Sequence, residues 1–416
     1  MRCVALTFII SIFAVTVMEI PAHTAQPVLI HVDDDAAPGG NGSARFPFKN
    51  LPEAVDTART VVGPVIIQVE PGDYPLTSTL VIARSLELRG STVQINDSDS
   101  WPTGQVAPGT ATRIFASNPT LTRLVLVDRG DSTVLRDVNI RGFIIEGTAA
   151  GASLLFNRVQ NYSIADNVFR APASRGVQSV ASSGRVSGNY FSGLGEGAIF
   201  NGGYASSPSN VVFQGNRAVH NMIGGVLLVG ASINIPELGD ELKAVVRDND
   251  LSGNGGFGFR AFILRRDLGA PGDSQSSASV YALVQGNHIV GNRNGIVIDA
   301  GFPYRQAGVT CDTRVYSGNM DLRFTGNTLS ESTLTPALIT FTRSTAALTP
   351  STLPQWQYLH GATFTIDDQE GILADAWIDH PAIDPILGPC PADAAHEFLG
   401  NVLIYNNVIL PNGRNF

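Results

Sequence analysis

From about residue 160 onward, apolar and polar positions alternate in short segments, each of which ends near an asparagine. In every segment an apolar residue stands three positions before the asparagine and another stands two positions after it. The asparagines are Asn167, Asn189, Asn216, Asn249, Asn287, Asn327 and Asn407. A glycine that opens a strand-like tetrad follows five of the segments, at Gly176, Gly197, Gly225, Gly258 and Gly295. The pattern predicts a repeat of short β-strands and turns.

Stacked coils explain why the same positions recur. In a parallel β-helix each coil lies about 4.8 Å above the last, so equivalent side chains form columns and the inward columns must be apolar. Asparagine suits a left-handed turn, and stacked amides can hydrogen-bond from coil to coil. We therefore predict an all-β fold, a right-handed parallel β-helix solenoid.

The N-terminal region predicts a cap for this solenoid. Residues 48–62 have one apolar face and form the most convincing amphipathic helix. We predict that this helix covers the first coil. The predicted organisation is a signal peptide at 1–25, an N-terminal segment with the capping helix at 26–64, and a parallel β-helix at 65–416. Its long insertions follow residue 230, and the largest is at about 342–400.

Two segments carry a family resemblance. HVDDDAAPGGNGSARFPFKNLPEAVDTA, followed by VIIQVEPGDYPLTSTLVI, resembles the N-terminal cap of secreted pectate-lyase-like β-helix proteins. The later coils resemble the repeat of that superfamily, so the resemblance covers most of residues 30–330. It implies the fold but not one activity, because this superfamily contains lyases, hydrolases, epimerases and non-catalytic surface proteins. The Asn-Thr-Asp, Gly-His-Gly and Arg-Ile-Lys motifs of polygalacturonases are absent, and no catalytic residue can be carried over.

The chain begins with features of a secretory signal. Arg2 precedes an uncharged apolar run from Cys3 to Met18, and small residues surround Ala25. A retained membrane anchor is the alternative, although this run is short for a span. We expect a secreted protein, extracellular or periplasmic, with no membrane span after signal removal.

Export to an oxidising compartment would allow the cysteines to form a disulfide. Cys3 lies in the signal, which leaves Cys311 and Cys390. We predict that they form a disulfide, and two unrelated buried thiols are the alternative.

The net charge of −9 disfavours nucleic acid as a partner. A local arginine cluster or a bound cation could still accept an acidic sugar. Ca²⁺ could bind Asp33, Asp34 and Asp35 with Asn41, and a solvated acidic turn is the favoured alternative.

The spacing of the asparagines locates the insertions. It rises from 22 residues, between Asn167 and Asn189, to 40 residues, between Asn287 and Asn327. The extra residues fall at 231–243, 264–279, 300–320 and 342–400, at the same turn of successive coils. Since stacked coils stay in register, we predict that these loops wall a groove on one side.

Strand alternation predicts that Arg260 and Asp299 face outward on adjacent coils and form the floor of this groove. Tyr304 and Arg305 join them as candidate catalytic residues. The candidate substrate-binding residues are Lys243, Arg265, Trp356, His360 and Trp377. Aromatic rings beside charges suit sugars. The alternatives are a structural ion pair for Arg260 and Asp299, and loop packing for the tryptophans.

Three functions fit this prediction. A uronate polysaccharide lyase or epimerase would use Arg260 or Arg305 as the base. A glycoside hydrolase would need two carboxyls, for which Asp299 with Asp367 or Asp368 is the available pair. A non-catalytic cell-surface or carbohydrate-binding solenoid is the third. The first is favoured slightly, with a polysaccharide or oligosaccharide as the partner.

Overall fold

The computed structural model describes residues 26–91, 111–131, 133–148, 151–170, 175–203, 209–230, 240–264, 276–302, 316–343, 363–366, 372–376, 397–405 and 408–409. These residues form a right-handed parallel β-helix, which confirms the predicted fold. The strands belong to three long sheets, and every pair of neighbouring strands is parallel. One strand of each sheet usually comes from each coil.

We name the sheets A, B and C in the order in which a coil passes through them. Sheet A contains Val28–Val32, Val65–Val69, Leu86–Arg89, Leu135–Arg136, Val138–Arg141, Val159–Ala165, Ser183–Ser187, Ser209–Gln214, Asp240–Arg247, Ser276–Gln285, Tyr316–Thr325, Thr363–Ile366 and Glu397–Tyr405. Sheet B contains Gly72–Leu76, Thr112–Ala116, Phe143–Glu146, Val168–Arg170, Tyr190–Ser192, Arg217–Val219, His288–Val290, Thr328–Ser330 and Val408–Ile409. Sheet C contains Leu80–Ile82, Arg123–Val127, Ala152–Asn157, Arg175–Val180, Glu196–Asn201, Gly224–Val229, Phe257–Leu264, Asn294–Phe302, Thr335–Arg343 and Ile372–Ala376. Bridges at Asp250 join the two stretches of sheet B.

The inward columns are apolar along the described coils. Phe169 and Phe191 stack in parallel, with ring centroids 4.6 Å apart, and Phe213 lies 6.0 Å from Phe191. All three are fully buried. The apolar residues that the sequence places before and after each asparagine therefore form the core, and each buried phenylalanine contributes about 1.5–3 kcal/mol.

The predicted asparagine column is confirmed for its six described members. Asn167, Asn189, Asn216, Asn249, Asn287 and Asn327 are buried at the turn between sheets A and B. In the first five of them, the backbone N–H and the Nδ2 group both donate to Oδ1 of the next asparagine, for example at 3.0 Å each from Asn189 to Asn216. Asn407 lies outside the described residues.

The left-handed position of this turn differs from the prediction. It is the residue before each asparagine that has positive φ: Asp166 at 55°, Gly215 at 62°, Asp248 at 55° and Gly286 at 64°. The asparagines themselves have ordinary φ values. The preceding residue makes the bend, which leaves each asparagine free to aim two donors at one oxygen.

A second asparagine column lies at the turn between sheets B and C. Asn221, Asn254 and Asn292 each follow a member of the first column by five residues. Asn221 Nδ2 donates to Asn254 Oδ1 at 3.0 Å, and Asn254 Nδ2 donates to Asn292 Oδ1 at 3.0 Å. Two of the three turns of these coils are therefore tied by buried amides.

The glycines that open the tetrads are required by close backbone contact. A Cβ atom on Gly197 would lie 2.6 Å from the carbonyl oxygen of Gly225. One on Gly225 would lie 2.6 Å from the carbonyl oxygen of Gly258. Any side chain would push successive coils apart, which explains why glycine recurs at this point.

The N-terminal region contains a helix at Leu51–Thr60, shorter at both ends than predicted. Its buried residues Leu51, Ala54, Val55 and Ala58 belong to the main core. The strand Val28–Val32 pairs with Val65–Val69, so sheet A already begins within the segment 26–64. The role of the helix as the cap of the first coil stays a prediction.

Candidate functional site

The insertions leave and rejoin the solenoid at one edge. On sheet C, Val229, Phe262 and Asp299 pair in register, shortly before the successive insertions begin. On sheet A, Leu242 and Val280 pair in register shortly after the insertions end. The strands reach further into the predicted insertions than the sequence indicates, because sheet A strands already begin at residues 240, 276 and 316. The groove that the loops would enclose stays a prediction.

Arg260 lies on sheet C between two aromatic rings. Its guanidinium carbon is 5.1 Å from the ring centroid of Phe262 and 5.8 Å from that of Phe257, which is the range of cation–π contacts. The register pairs Arg260 with Val297 and Phe262 with Asp299, so Asp299 lies two residues along the neighbouring strand, as predicted.

The outer face of sheet C is partly closed to solvent around Arg260. The outward residues Val229 and Val297 are 6% and 7% exposed, whereas Arg260, Leu227 and Phe262 are half-buried. The catalytic roles of Arg260 and Asp299 stay predictions.

Most of the other predicted site residues cannot be placed. Tyr304, Arg305, Arg265, Trp356, His360 and Trp377 lie outside the described residues, as do Asp367 and Asp368. The predicted disulfide partners Cys311 and Cys390 also lie outside them, and so does the signal segment 1–25.

Lys243 is not where the sequence predicts it. It lies within the strand Asp240–Arg247 of sheet A, rather than in an insertion beside Arg260 on sheet C. The strand begins before the apolar pattern does, so the sequence pattern alone assigned these residues to a loop. Lys243 is exposed on the outer face of sheet A, with Tyr281 and Asp321 as its neighbours on the next two coils.

An open depression of about 440 Å³ lies on this outer face. One side is polar and is formed by the column Lys243, Tyr281 and Asp321. The other side is the column Val245, Leu283 and Arg323, which is an apolar strip that ends at the arginine. The cations and the carboxylate can hydrogen-bond the hydroxyl groups of a sugar. The aromatic ring and the apolar strip can contact its apolar face.

Lys243 is held as a cation. Its Nζ atom lies 2.5 Å from Glu241 Oε1 and 5.8 Å from the ring centroid of Tyr281. The hydrogen bond with Glu241, followed by the charge of that carboxylate, raises the pKa of Lys243 above its ordinary value. A raised pKa favours the protonated form of Lys243, which suits this side chain to pair with an anion.

Only one of the two carboxylate oxygens of Asp321 has a partner among the described residues. Its Oδ2 atom lies 3.5 Å from an Arg323 nitrogen, and its Oδ1 atom is buried without a hydrogen-bond partner among the described residues. Buried polar atoms are nearly always paired, so an unpaired carboxylate oxygen beside a depression is a candidate for contact with a ligand or a proton.

The acidic turn at Asp33, Asp34 and Asp35 lies in the first coil, away from the depression. One carboxylate oxygen from each lies within 4.8 Å of the others. Asp33 accepts a hydrogen bond from the backbone of Asp35, and Asp34 accepts one from the backbone of Asp73 at 2.8 Å. These bonds account for the turn without a cation, and Ca²⁺ binding here stays a prediction.

Comparisons with known proteins find only distant structural neighbours. No family model matches the chain, and no curated protein matches it. Among solved structures, DFA-IIIase from Arthrobacter chlorophenolicus A6 in complex with GF2 is similar at 14% identity and a TM-score of 0.40, over 75% of this chain and 93% of that one. The A-module of the Azotobacter vinelandii mannuronan C-5 epimerase AlgE6 is similar at 14% and 0.40, over 87% and 94%. XylC in complex with xylose is similar at 8% and 0.41, over 92% and 86%.

At these identities and TM-scores no residue role transfers to this chain. The stacked parallel sheets define its class, the right-handed parallel β-helix, and its specific family is not identified. None of the helices in the described part of the chain is both long and apolar enough to cross a membrane.

Proposed function

We propose that this protein is a polysaccharide lyase that binds a uronate-containing polysaccharide on the outer face of sheet A. The observation that carries this proposal is the arrangement of Tyr281 between Lys243 and Asp321 in an open depression, with Arg323 alongside. Lys243 and Arg323 are each paired with one carboxylate, Glu241 and Asp321, and their further N–H donors can bind a sugar carboxylate. The ring and the apolar strip accept the sugar body.

The chemistry of β-elimination matches these four side chains. A base removes the proton at C5 of the uronate, the C4–O4 bond breaks, a C4=C5 double bond forms and a proton goes to the departing O4. Lys243 and Arg323 neutralise the carboxylate as negative charge develops next to it. Asp321 accepts the C5 proton, and the Tyr281 phenol donates a proton to O4.

The hydrolase alternative is weaker for this site. Glycoside hydrolysis needs two carboxyl groups about 5–9.5 Å apart. Asp321 is the only carboxylate among the described residues that line the depression, and Glu241 is engaged with Lys243. Binding without turnover remains the second candidate, because cations and aromatic rings would serve it equally well.

A substrate panel separates these functions. The mature protein is incubated with polyuronates, their methyl esters and neutral polysaccharides, with and without Ca²⁺, while ultraviolet absorbance and reducing ends are followed. New absorbance from a C4=C5 double bond on free uronates is the expected result. Reducing ends without absorbance would favour the hydrolase, and retention on the polymer without products would favour a binding protein.

We propose in addition that this activity is exported. The support is the sequence of residues 1–25, with its positive start and apolar run. Fractionation of the native host, with detection of the mature N-terminus by mass spectrometry, tests this.

A further inference from the structure

The outer face of sheet A changes in its charge pairing along the solenoid. In the first coils, Glu87 accepts hydrogen bonds at 2.8 Å from both Arg89 and Arg141. The two guanidinium groups therefore share one carboxylate, and much of their charge is neutralised within the protein.

Further along the same face, two arginines have no carboxylate partner among the residues that the structure describes. Arg185 is exposed and makes no hydrogen bond or ion pair within this part of the chain. Arg247 is half-buried and donates to the neutral amide oxygen of Gln214 at 2.8 Å. Its Nε atom is buried and has no hydrogen-bond partner in the described ranges. The net charge of −9 makes carboxylates plentiful, yet no described carboxylate pairs with either arginine.

These arginines and Arg323 are evenly spaced along the solenoid axis. Arg185 pairs in register with Val212, which pairs with Val245, two residues before Arg247. Arg247 pairs with Gln285, which pairs with Thr325, two residues after Arg323. Each step thus spans two coils and two residues, or about 12 Å between Cα atoms. Arg185 and Arg323 lie in the same column, and Arg247 lies two residues to one side of it. The three cations therefore zigzag along the solenoid axis.

We propose that Arg185, Arg247 and Arg323 form a row of subsites for an acidic polysaccharide that extends from the depression toward the N-terminal coils. The inference rests on the proposed function and adds the direction of the polymer and a preference for long chains. A sugar residue of an extended polysaccharide is about as long as one coil is thick, so an anion on every second residue would meet a cation at each step. Carboxylate and sulfate groups share this chemistry.

The test compares ligand lengths. Binding of short oligouronates that fit the depression and of the intact polymer is measured by titration calorimetry, for the wild type and for Arg185→Gln, Arg247→Gln and the double variant. Exposed ion pairs are worth up to about 1 kcal/mol, so each single variant should bind the polymer about two- to fivefold more weakly. The double variant should lose the product of the two factors. Short ligands should bind unchanged, and salt should erase the difference.

Arg123→Gln is the matched control. Arg123 is also exposed, but it lies on sheet C, and its replacement removes the same charge from the molecule. Arg123→Gln should leave polymer binding at the wild-type level, and Arg123→Gln and Arg185→Gln should keep the wild-type melting temperature. Arg247→Gln loses the bond to Gln214, so all titrations are made well below the lowest melting temperature of the set.

Two results would overturn the row. One is polymer binding that is unchanged in the double variant while the wild type binds both ligand lengths; the depression would then stand without the row. The other concerns poly-glutamate, an acidic polymer without sugars. If the variants lose as much affinity for poly-glutamate as for the polysaccharide, the row recognises charge and not sugar. Failure of the wild type to bind any uronate of any length would remove the proposed function itself, and the row with it.

Discussion

Asn216 directs two hydrogen-bond donors at a single acceptor atom of Asn249 on the next coil. The backbone N–H and the Nδ2 group of Asn216 both donate to Oδ1 of Asn249, at 2.9 and 3.2 Å. Asn249 repeats the arrangement toward Asn287, at 3.1 and 2.8 Å. Each coil therefore supplies the hydrogen-bond acceptor that the previous coil needs, and a lesion at one asparagine affects its neighbours on both sides.

Replacement of Asn249 by aspartate tests this dependence. The shape is retained, but the donors to the Phe213 carbonyl and to Asn287 Oδ1 are lost, and a negative charge faces those oxygens. We expect Asn249→Asp to lower the free energy of unfolding by at least about 2 kcal/mol, because buried polar groups lose their partners. Denaturant titration measures the change. Asn210→Asp, at an exposed site, should be nearly neutral, and equal effects at both sites would contradict the argument.

The glycines before the ladder asparagines give a second prediction. Gly215 and Gly286 have the same left-handed backbone, with φ of 62° and 64°. A Cβ atom on Gly215 would meet nothing within 4 Å, whereas one on Gly286 would lie 2.8 Å from Asp248 Oδ1. Gly215→Ala should lower the free energy of unfolding by about 1–2 kcal/mol, because alanine is strained in a left-handed backbone conformation.

Gly286→Ala should cost more than Gly215→Ala because the Asp248 side chain must also move. Asp248 has a left-handed backbone of its own, so Asp248→Gly alone is the reference for the double variant. In the Asp248→Gly background, Gly286→Ala should cost only as much as Gly215→Ala does in the wild type. Chemical denaturation of the wild type, the three single variants and the double variant measures this. The explanation fails if Gly286→Ala costs as much in the Asp248→Gly background as in the wild type.

Glu87 makes the stability depend on acid pH. Burial acts to raise the pKa of this carboxyl, but hydrogen bonds from Arg89 and Arg141 outweigh it and lower the pKa below its ordinary value. A lowered pKa stabilises the fold above the unfolded-state value of about 4.3, and this contribution is lost as the pH falls through the folded-state pKa. Glu87→Gln should therefore be less stable at neutral pH and should lose less stability between neutral pH and pH about 3. Melting temperatures across this range test it, and parallel curves for the two proteins would contradict it.

The proton-transfer role of Tyr281 predicts a loss of turnover without a loss of binding. Tyr281→Phe should lower kcat by about 10²–10⁴, the range for a general acid or base, with nearly unchanged polymer affinity. Tyr162→Phe is the control, since the Tyr162 hydroxyl is fully buried and lies 3.1 Å from Ser179 Oγ, far from the chemistry. It should cost about 1 kcal/mol of stability and leave kcat unchanged. A Tyr281→Phe variant with wild-type kcat would remove this residue from the mechanism.

The repeat could be predicted from the sequence because columns impose the same requirement on every coil. Phe169, Phe191 and Phe213 all fill the core, and the six described ladder asparagines all share one geometry. The second column, Asn221, Asn254 and Asn292, carried an equally readable signal, an asparagine five residues after the first. It was missed because it runs through only three coils.

The candidate site was harder to predict than the fold. Outward positions have no shared packing requirement, so Lys243 and Tyr281 leave no column pattern. The strands of sheet A also begin before their apolar residues do, so the apolar pattern alone predicts a loop at Lys243. The alternation that places Arg260 outward also places Lys243, Val245 and Arg247 outward, once the start of the strand is known.

All the insertions join the solenoid at one edge, so sequence changes in them can alter ligand specificity without altering the strand pairing that stabilises the core. Coil-to-coil pairing continues unbroken from Val229 to Phe262 and from Leu242 to Val280, whatever the length of chain between the sheets. Doubling the length of a flexible loop costs only about 0.6 kcal/mol in closure entropy. One insertion can thus be replaced by another at little cost in stability. Related solenoids can therefore differ in the ligands that they recognise while their cores keep the same packing.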